Sequence, residues 1–252
     1  MGSLNFGQTI SRASGLIGAT LGSAGLFIIV FQIVMGGLNA VFRMQMTGAI
    51  AAGAMAPTAI FLSGWYWATI LVSLVGGAIV FAGATAGMIK ADRGEVVTIA
   101  DCFTSGLGKA LPAIGLVILW VLGIYAGFIL LFVPGCILVA MWSVSFPALI
   151  AEDVGVIGAF GRSRALTKGS RWKIFLLLLL TVVAVYAVFG VVLAGVGFQF
   201  GSMAAATSTS IGLQIVLGLL GAVFALGNTA LLVAIYGELT ELKGDRVSEV
   251  FG

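Results

Sequence analysis

Residues 152–180 read E-D-V-G-V-I-G-A-F-G-R-S-R-A-L-T-K-G-S-R-W-K-I-F-L-L-L-L-L. Five of the chain's 12 Lys and Arg residues stand here (Arg162, Arg164, Lys168, Arg171 and Lys173), and the stretch then runs unbroken into leucines. A basic loop that enters so apolar a run reads as the junction between cytoplasm and bilayer. The composition agrees, with 61% of 252 residues hydrophobic, 8% charged and a mean hydropathy of +1.21. A soluble domain carries about 25% charged residues. This chain could not cover a water-facing surface with polar groups, so lipid must be its main solvent. The net charge of +3 is too small, and too scattered between apolar spans, for a nucleic-acid partner. It reads as an orientation signal and a contact with anionic headgroups.

Six runs reach the roughly 20 apolar residues that a crossing requires: 17–42, 60–89, 110–132, 135–151, 174–198 and 212–236. They predict an all-α integral membrane protein, one six-helix transmembrane domain over 1–252. Its cytoplasmic parts are the segment 1–16, the basic loop 152–173 and the tail 237–252. Trp65, Tyr66 and Trp67 open the second span as an interfacial belt. Spans three and four form one block from Leu111 to Ala151, interrupted only by Pro134-Gly135. That dipeptide predicts a tight hairpin there, and Pro147 predicts a kink in the fourth span. Three stretches that precede a span share a short amphipathic pattern, at 6–16, 98–111 and 156–166. They suggest three units of interfacial helix plus helical hairpin.

Catalytic chemistry finds little footing. With no histidine, Ser-His-Asp and Cys-His arrangements are excluded. No ionisable residue falls within a span as drawn, against the usual mark of ion-coupled transport. Cys102 and Cys136 stand at opposite ends of a span, about 30 Å apart, without a C-x-x-C partner, so no disulfide, metal or cofactor is expected. Glu152 and Asp153 are adjacent, but Glu152 reads as an end-of-span anchor with basic neighbours. Four G-x-x-x-G patterns (Gly18/Gly22, Gly83/Gly87, Gly123/Gly127, Gly197/Gly201) are no more than glycine frequency produces by chance. The glycine content itself, 37 residues, predicts closely packed helices. Gln32, Asn39, Gln214 and Asn228 lie inside spans. They either hydrogen-bond across helices or line the pore of an uncoupled transporter or channel for a small uncharged or amphiphilic molecule.

The basic loop carries the remaining candidates. Drawn as a helix, it places Val156, Ala159, Phe160, Ser163 and Leu166 on one face and Arg164, Lys168 and Arg171 in a stripe beside it. Arg162, Trp172 and Lys173 complete the set. Such a helix would lie in the interface, apolar face down, against anionic lipid or a protein partner or second copy. Insertion alone would also call for these charges, and the sequence leaves both readings open.

Pro134-Gly135, Glu152 and the run F160-G-R-S-R-A-L-T-K-G-S-R-W172 together resemble a bacterial family. It is the membrane domain attached to some glycerophosphoryl diester phosphodiesterases, with its YciC-like relatives. The likeness is best over residues 95–180. It implies a non-enzymatic protein of the bacterial inner membrane with a structural, accessory or lipid-associated role. In the fused members a separate barrel performs hydrolysis with histidine and metal-binding carboxylates, and neither that barrel nor any histidine is present here.

Orientation follows from the flanking cations. Arg12, Lys90, Arg93, Lys109, the five of the loop, Lys243 and Arg246 share one side, and Arg43 alone marks the other. By the positive-inside rule both termini are cytoplasmic. A tag at either end is therefore expected to react with impermeant reagent only after the membrane is opened; reaction in intact cells would reverse the topology.

Overall fold

The computed structural model describes residues 4–51, 53, 61–195 and 211–251. The connections 54–60 and 196–210 and the Gly197/Gly201 pair fall outside them, as do the side chains of Arg43, Gln214 and Arg246. The protein is an all-α multi-pass membrane protein, with no strand among the described residues. Six helical segments are long and apolar enough to cross: Phe6–Met46, Gly64–Asp92, Ala110–Leu130, Phe132–Glu152, Arg171–Ala194 and Ile215–Gly244.

The first comprises α1 (Phe6–Thr20) and α2 (Leu26–Ala51), joined by one wide turn, Leu21–Gly25, in which the Leu26 amide bonds back to the Leu21 carbonyl. The amphipathic opening stretch is thus continuous with the first span instead of a separate interfacial helix. Helix α3 (Gly64–Asp92) follows, then the short α4 (Ile99–Gly108) and α5 (Ala110–Leu130). Thr98 and Asp101 form a reciprocal cap that starts α4. These bonds hold the exposed Asp101 carboxyl below its ordinary range. The cap is therefore complete above the usual carboxylate pKa and is lost as pH falls through the lowered value.

The hairpin between α5 and α6 (Phe132–Trp142) turns at Leu131, the one extended residue between them, and not at Pro134-Gly135. Pro134 stands in the first turn of α6, where a helix has no use for the missing N–H. Gly135 is buried, and a Cβ there would sit 2.6 Å from the Phe128 ring of α5. The fourth span does break, but upstream of Pro147: α6 stops at Trp142 and α7 (Ser145–Glu152) restarts with Pro147 in its first turn. A proline gives no N–H to the carbonyl four residues back and its ring clashes with that carbonyl, so the ladder opens around Ser143.

Helix α8 (Gly155–Thr167) follows, then α9 (Arg171–Gly195) and α10 (Ile211–Phe251). The predicted tail from 237 continues α10 as helix. One neighbour relation recurs: each short helix lies on the last helix of the preceding hairpin, α4 on α3, α8 on α7, and α1 on α10, which closes the ring.

Helix α3 runs through the middle of the bundle, with Ala82 to Ile89 all buried. Its Gly83 faces α4 so closely that a Cβ would lie 2.1 Å from the Cys102 carbonyl oxygen, and a Cβ on Gly106 would lie 2.2 Å from that of Ile79. Gly123 and Gly127 likewise face Trp142 and Leu138 of α6, whereas Gly18 and Gly22 meet nothing within 4 Å. Cys102 is fully buried in the α3–α4 contact, where burial pushes its thiol pKa up. Backbone cannot yield to a methyl group as a flexible side chain can. Gly106→Ala is expected to cost about 1–3 kcal/mol or more and Gly18→Ala under 1 kcal/mol, compared by thermal unfolding in one detergent.

Candidate functional site

Because the spans alternate, the starts of α1, α5 and α9 and the ends of α3, α7 and α10 share one end of the bundle. The described ion pairs all gather there. Arg12 grips Asp92 of α3 with two bonds, Nε to Oδ1 at 2.8 Å and Nη2 to Oδ2 at 2.7 Å, and reaches Glu241 of α10 at 2.9 Å. Its guanidinium lies against Gly237, where a Cβ would sit 2.7 Å from Cζ. Glu238, in the stretch the sequence assigns to a tail, is 8% exposed; it accepts from the Asn5 amide at 2.6 Å and from the Thr9 hydroxyl. Lys90 pairs with Asp101 at 3.7 Å, Lys109 with Asp153, and Lys173 donates to the Leu4 carbonyl at 3.1 Å.

The 160–172 motif is largely spent on holding α8 in place. Glu152 accepts from Arg162 Nε and from the Tyr236 hydroxyl, each at 2.8 Å, and so joins α7, α8 and α10. The Met141 carbonyl, beside the break that Pro147 imposes, accepts from Ser163 at 2.8 Å and Thr167 at 3.4 Å. Ala159 and Leu166 are fully buried, and Phe160 packs on Trp142 with ring centroids 4.8 Å apart. The apolar face of α8 therefore meets protein, not lipid. Gly169, at φ +96°, then turns the chain into α9.

The predicted stripe does not form on one helix. Helix α8 ends at Thr167, so Lys168 and Arg171 follow its terminus, although Arg171 Nη2 still approaches the Arg164 carbonyl at 3.5 Å. Arg164 and Lys168 remain exposed with no ion pair among the described residues, and Trp172, stacked on Phe175, is 77% exposed. Of the six bases and aromatics singled out in the loop, Arg162 is tied to Glu152 and Lys173 to Leu4. Arg164, Lys168, Arg171 and Trp172 are left facing outward or partly so.

A recess of about 330 Å³ opens at this same end between α3, α4 and α7. Lys90, Arg93, Lys109 and Ser105 line it, over Ile89 and Ala151. Arg93 has no ion pair among the described residues. Sequence reading treated these three cations only as orientation signals. Their convergence depends on α4 folding back onto α3, which the small residues Gly83, Gly87 and Gly106 make possible and which charge counting cannot reveal.

The four candidate pore residues are not gathered. Asn39 donates to the Met35 carbonyl of its own helix at 2.8 Å, and Gln32 lies near Gly221 of α10. Asn228 lines a separate cavity with Trp120 and Trp142, a cavity that neither Gln32 nor Asn39 reaches. The Gln214 side chain is outside the described residues. Among the described residues no group of three or more Cys, Asp or Glu could hold a metal ion.

Glu152→Ala should strand the Arg162 guanidinium and the Tyr236 hydroxyl together, at about 1–3 kcal/mol, whereas Arg164→Ala should stay within about 0.5 kcal/mol. Equal melting temperatures for the two variants would refute this division of the motif. Compared with family models, with curated proteins and with solved structures, the chain matches none of them.

Proposed function

We propose that this chain is a non-enzymatic protein of the bacterial inner membrane, with both termini in the cytoplasm, that associates with anionic lipid through its charged end. The observation that carries the reading is the recess in which Lys90, Arg93 and Lys109 converge beside the Ser105 hydroxyl. A cationic pocket between helices at the cytoplasmic surface suits a phosphate headgroup, with the apolar floor continuing toward the acyl chains. Lys90 and Lys109 are shared with Asp101 and Asp153, which leaves Arg93 the freest of the three.

The α8–α9 turn supports the same reading from a second surface. Arg164 and Lys168 are exposed there beside Trp172 and Ile157, which are 77% and 78% exposed. Cations next to an amphipathic ring and an unburied aliphatic chain are what the headgroup layer accommodates. The likeness to the phosphodiesterase-associated membrane family, which rests on the motif residues alone, points to the same accessory role.

Short-chain phosphatidylglycerol and phosphatidylcholine titrated onto the detergent-purified chain, with native mass spectrometry as readout, separate the possibilities. Phosphatidylglycerol should be retained preferentially. At roughly 1 kcal/mol per cation, Lys90→Gln, Arg93→Gln and Lys109→Gln together should weaken it at least tenfold. Arg164→Gln, Lys168→Gln and Arg171→Gln together should weaken it further without loss of insertion. Equal retention of both lipids by the unaltered chain would end the proposal.

A further inference from the structure

The half-open cavity beside Asn228 has a volume of about 510 Å³, within the roughly 300–1,000 Å³ of small-molecule sites. Helices α3, α5, α6, α9 and α10 line it and touch one another in turn, and the cavity is open on one side, with Val121 and Val182 at its exposed rim. Gly77, Trp120, Trp142, Val182 and Asn228 each stand near the middle of their own span. The cavity therefore lies at the depth of the bilayer midplane, well away from the charged end. No charged side chain among the described residues lines it.

Its polar groups differ in one respect. The Ser73, Ser143 and Ser145 hydroxyls each donate to a carbonyl of their own helical segment, at 2.7, 3.0 and 2.7 Å. Their donors are spent. The Asn228 amide lines the same space and makes no hydrogen bond to any described residue. An asparagine within hydrocarbon ordinarily finds a partner on a neighbouring helix, because an unmade hydrogen bond in that medium is costly. Here a partly exposed amide, two donors and one acceptor, borders an apolar space large enough for a ligand.

We propose that this cavity binds a neutral lipid-like molecule, apolar along its length and carrying one hydroxyl or carbonyl group that hydrogen-bonds to the Asn228 amide. A charged headgroup has no counter-ion here. The ester groups of ordinary bilayer phospholipids lie near the headgroups, about 15 Å above the midplane, and do not reach this depth. The occupant is therefore a molecule without a charged head, free to enter the bilayer interior.

A diazirine-bearing hexadecanol tests this on the full chain in detergent, beside a phosphatidylcholine with the diazirine in its acyl chain. Saturable labelling of the segments that hold Trp120 and Trp142 is expected from the alcohol, competed by plain hexadecanol, with the phosphatidylcholine far weaker. Asn228→Leu should weaken the alcohol two- to tenfold, the range of one hydrogen bond. A Cβ at Gly77 meets nothing within 4 Å, so Gly77→Leu can extend into the cavity and should abolish labelling; Val182→Phe serves the same purpose from α9. Hexadecanol should raise the melting temperature of the unaltered chain and not that of Gly77→Leu. Labelling that does not saturate, equal labelling by phosphatidylcholine, or affinity unchanged in Asn228→Leu and both cavity-filling variants would overturn the proposal. So would a drop in melting temperature for Asn228→Leu without ligand, since that would mean the amide is bonded within the protein.

Discussion

Hydrocarbon gives one apolar helix no hydrophobic reason to prefer another helix over lipid, and this constraint governs the structure. Association must come from close packing and from polar bonds between helices. Both devices are present, at different depths. Through the bundle, glycine lets backbones touch: Gly83 and Gly106 bring α3 and α4 within a distance that excludes a Cβ on either side. At the charged end Arg12 ties α1 to α3 and α10, and Glu152 ties α7 to α8 and α10. Charges placed there keep some contact with water and avoid most of the desolvation cost that an ion pair at mid-depth would carry.

The spans were legible because their requirement is one of length and composition, and both can be counted along the chain. Breaks within spans were legible in kind and misplaced by three or four residues. Pro134 is tolerated inside the first turn of α6, so the hairpin moves back to Leu131. Pro147 acts on the carbonyl four residues before it, so the break falls around Ser143. Which glycine pair packs was not legible at all. Gly18/Gly22 and Gly83/Gly87 are the same motif, yet only the second has a neighbour. The difference lies in which helix comes to stand opposite, a property of the whole topology. The same holds for Arg12 and Asp92, 80 residues apart, and for Glu238, which is buried because α1 folds across the end of α10.

The side chains of the basic loop, read from sequence as one set, divide in the structure into two. Arg162, Ser163, Leu166 and Thr167 face inward, where they repair the consequences of Pro147 and fix α8 to α7. Arg164, Lys168 and Trp172 lie outside that clamp. A helical wheel finds the apolar face of α8 but assigns it to lipid, because nothing in a wheel says that α7 lies beneath, and it carries Lys168 and Arg171 past the point where the helix ends. The inward half has a counterpart in α1, where Arg12 pairs with the acid that ends α3 much as Arg162 pairs with the acid that ends α7. Both short helices are moored by an arginine to the carboxylate end of a spanning helix, whereas α4 is held to α3 by glycine contact and by the pair of Lys90 with Asp101.

The spans themselves differ in how far protein covers them. Helix α3 and the broken α6–α7 span are the most enclosed of the crossings, at 39% and 50% of their apolar windows buried, while α9 has 6%. Helix α9 packs mainly on α6 and α10, and its described anchorage at the charged end includes the bond from Lys173 to the Leu4 carbonyl. Of the five walls around the cavity, α9 therefore has the smallest share of its apolar length covered by protein and the largest left to lipid. It is also the wall that begins at the exposed turn with Lys168, Arg171 and Trp172.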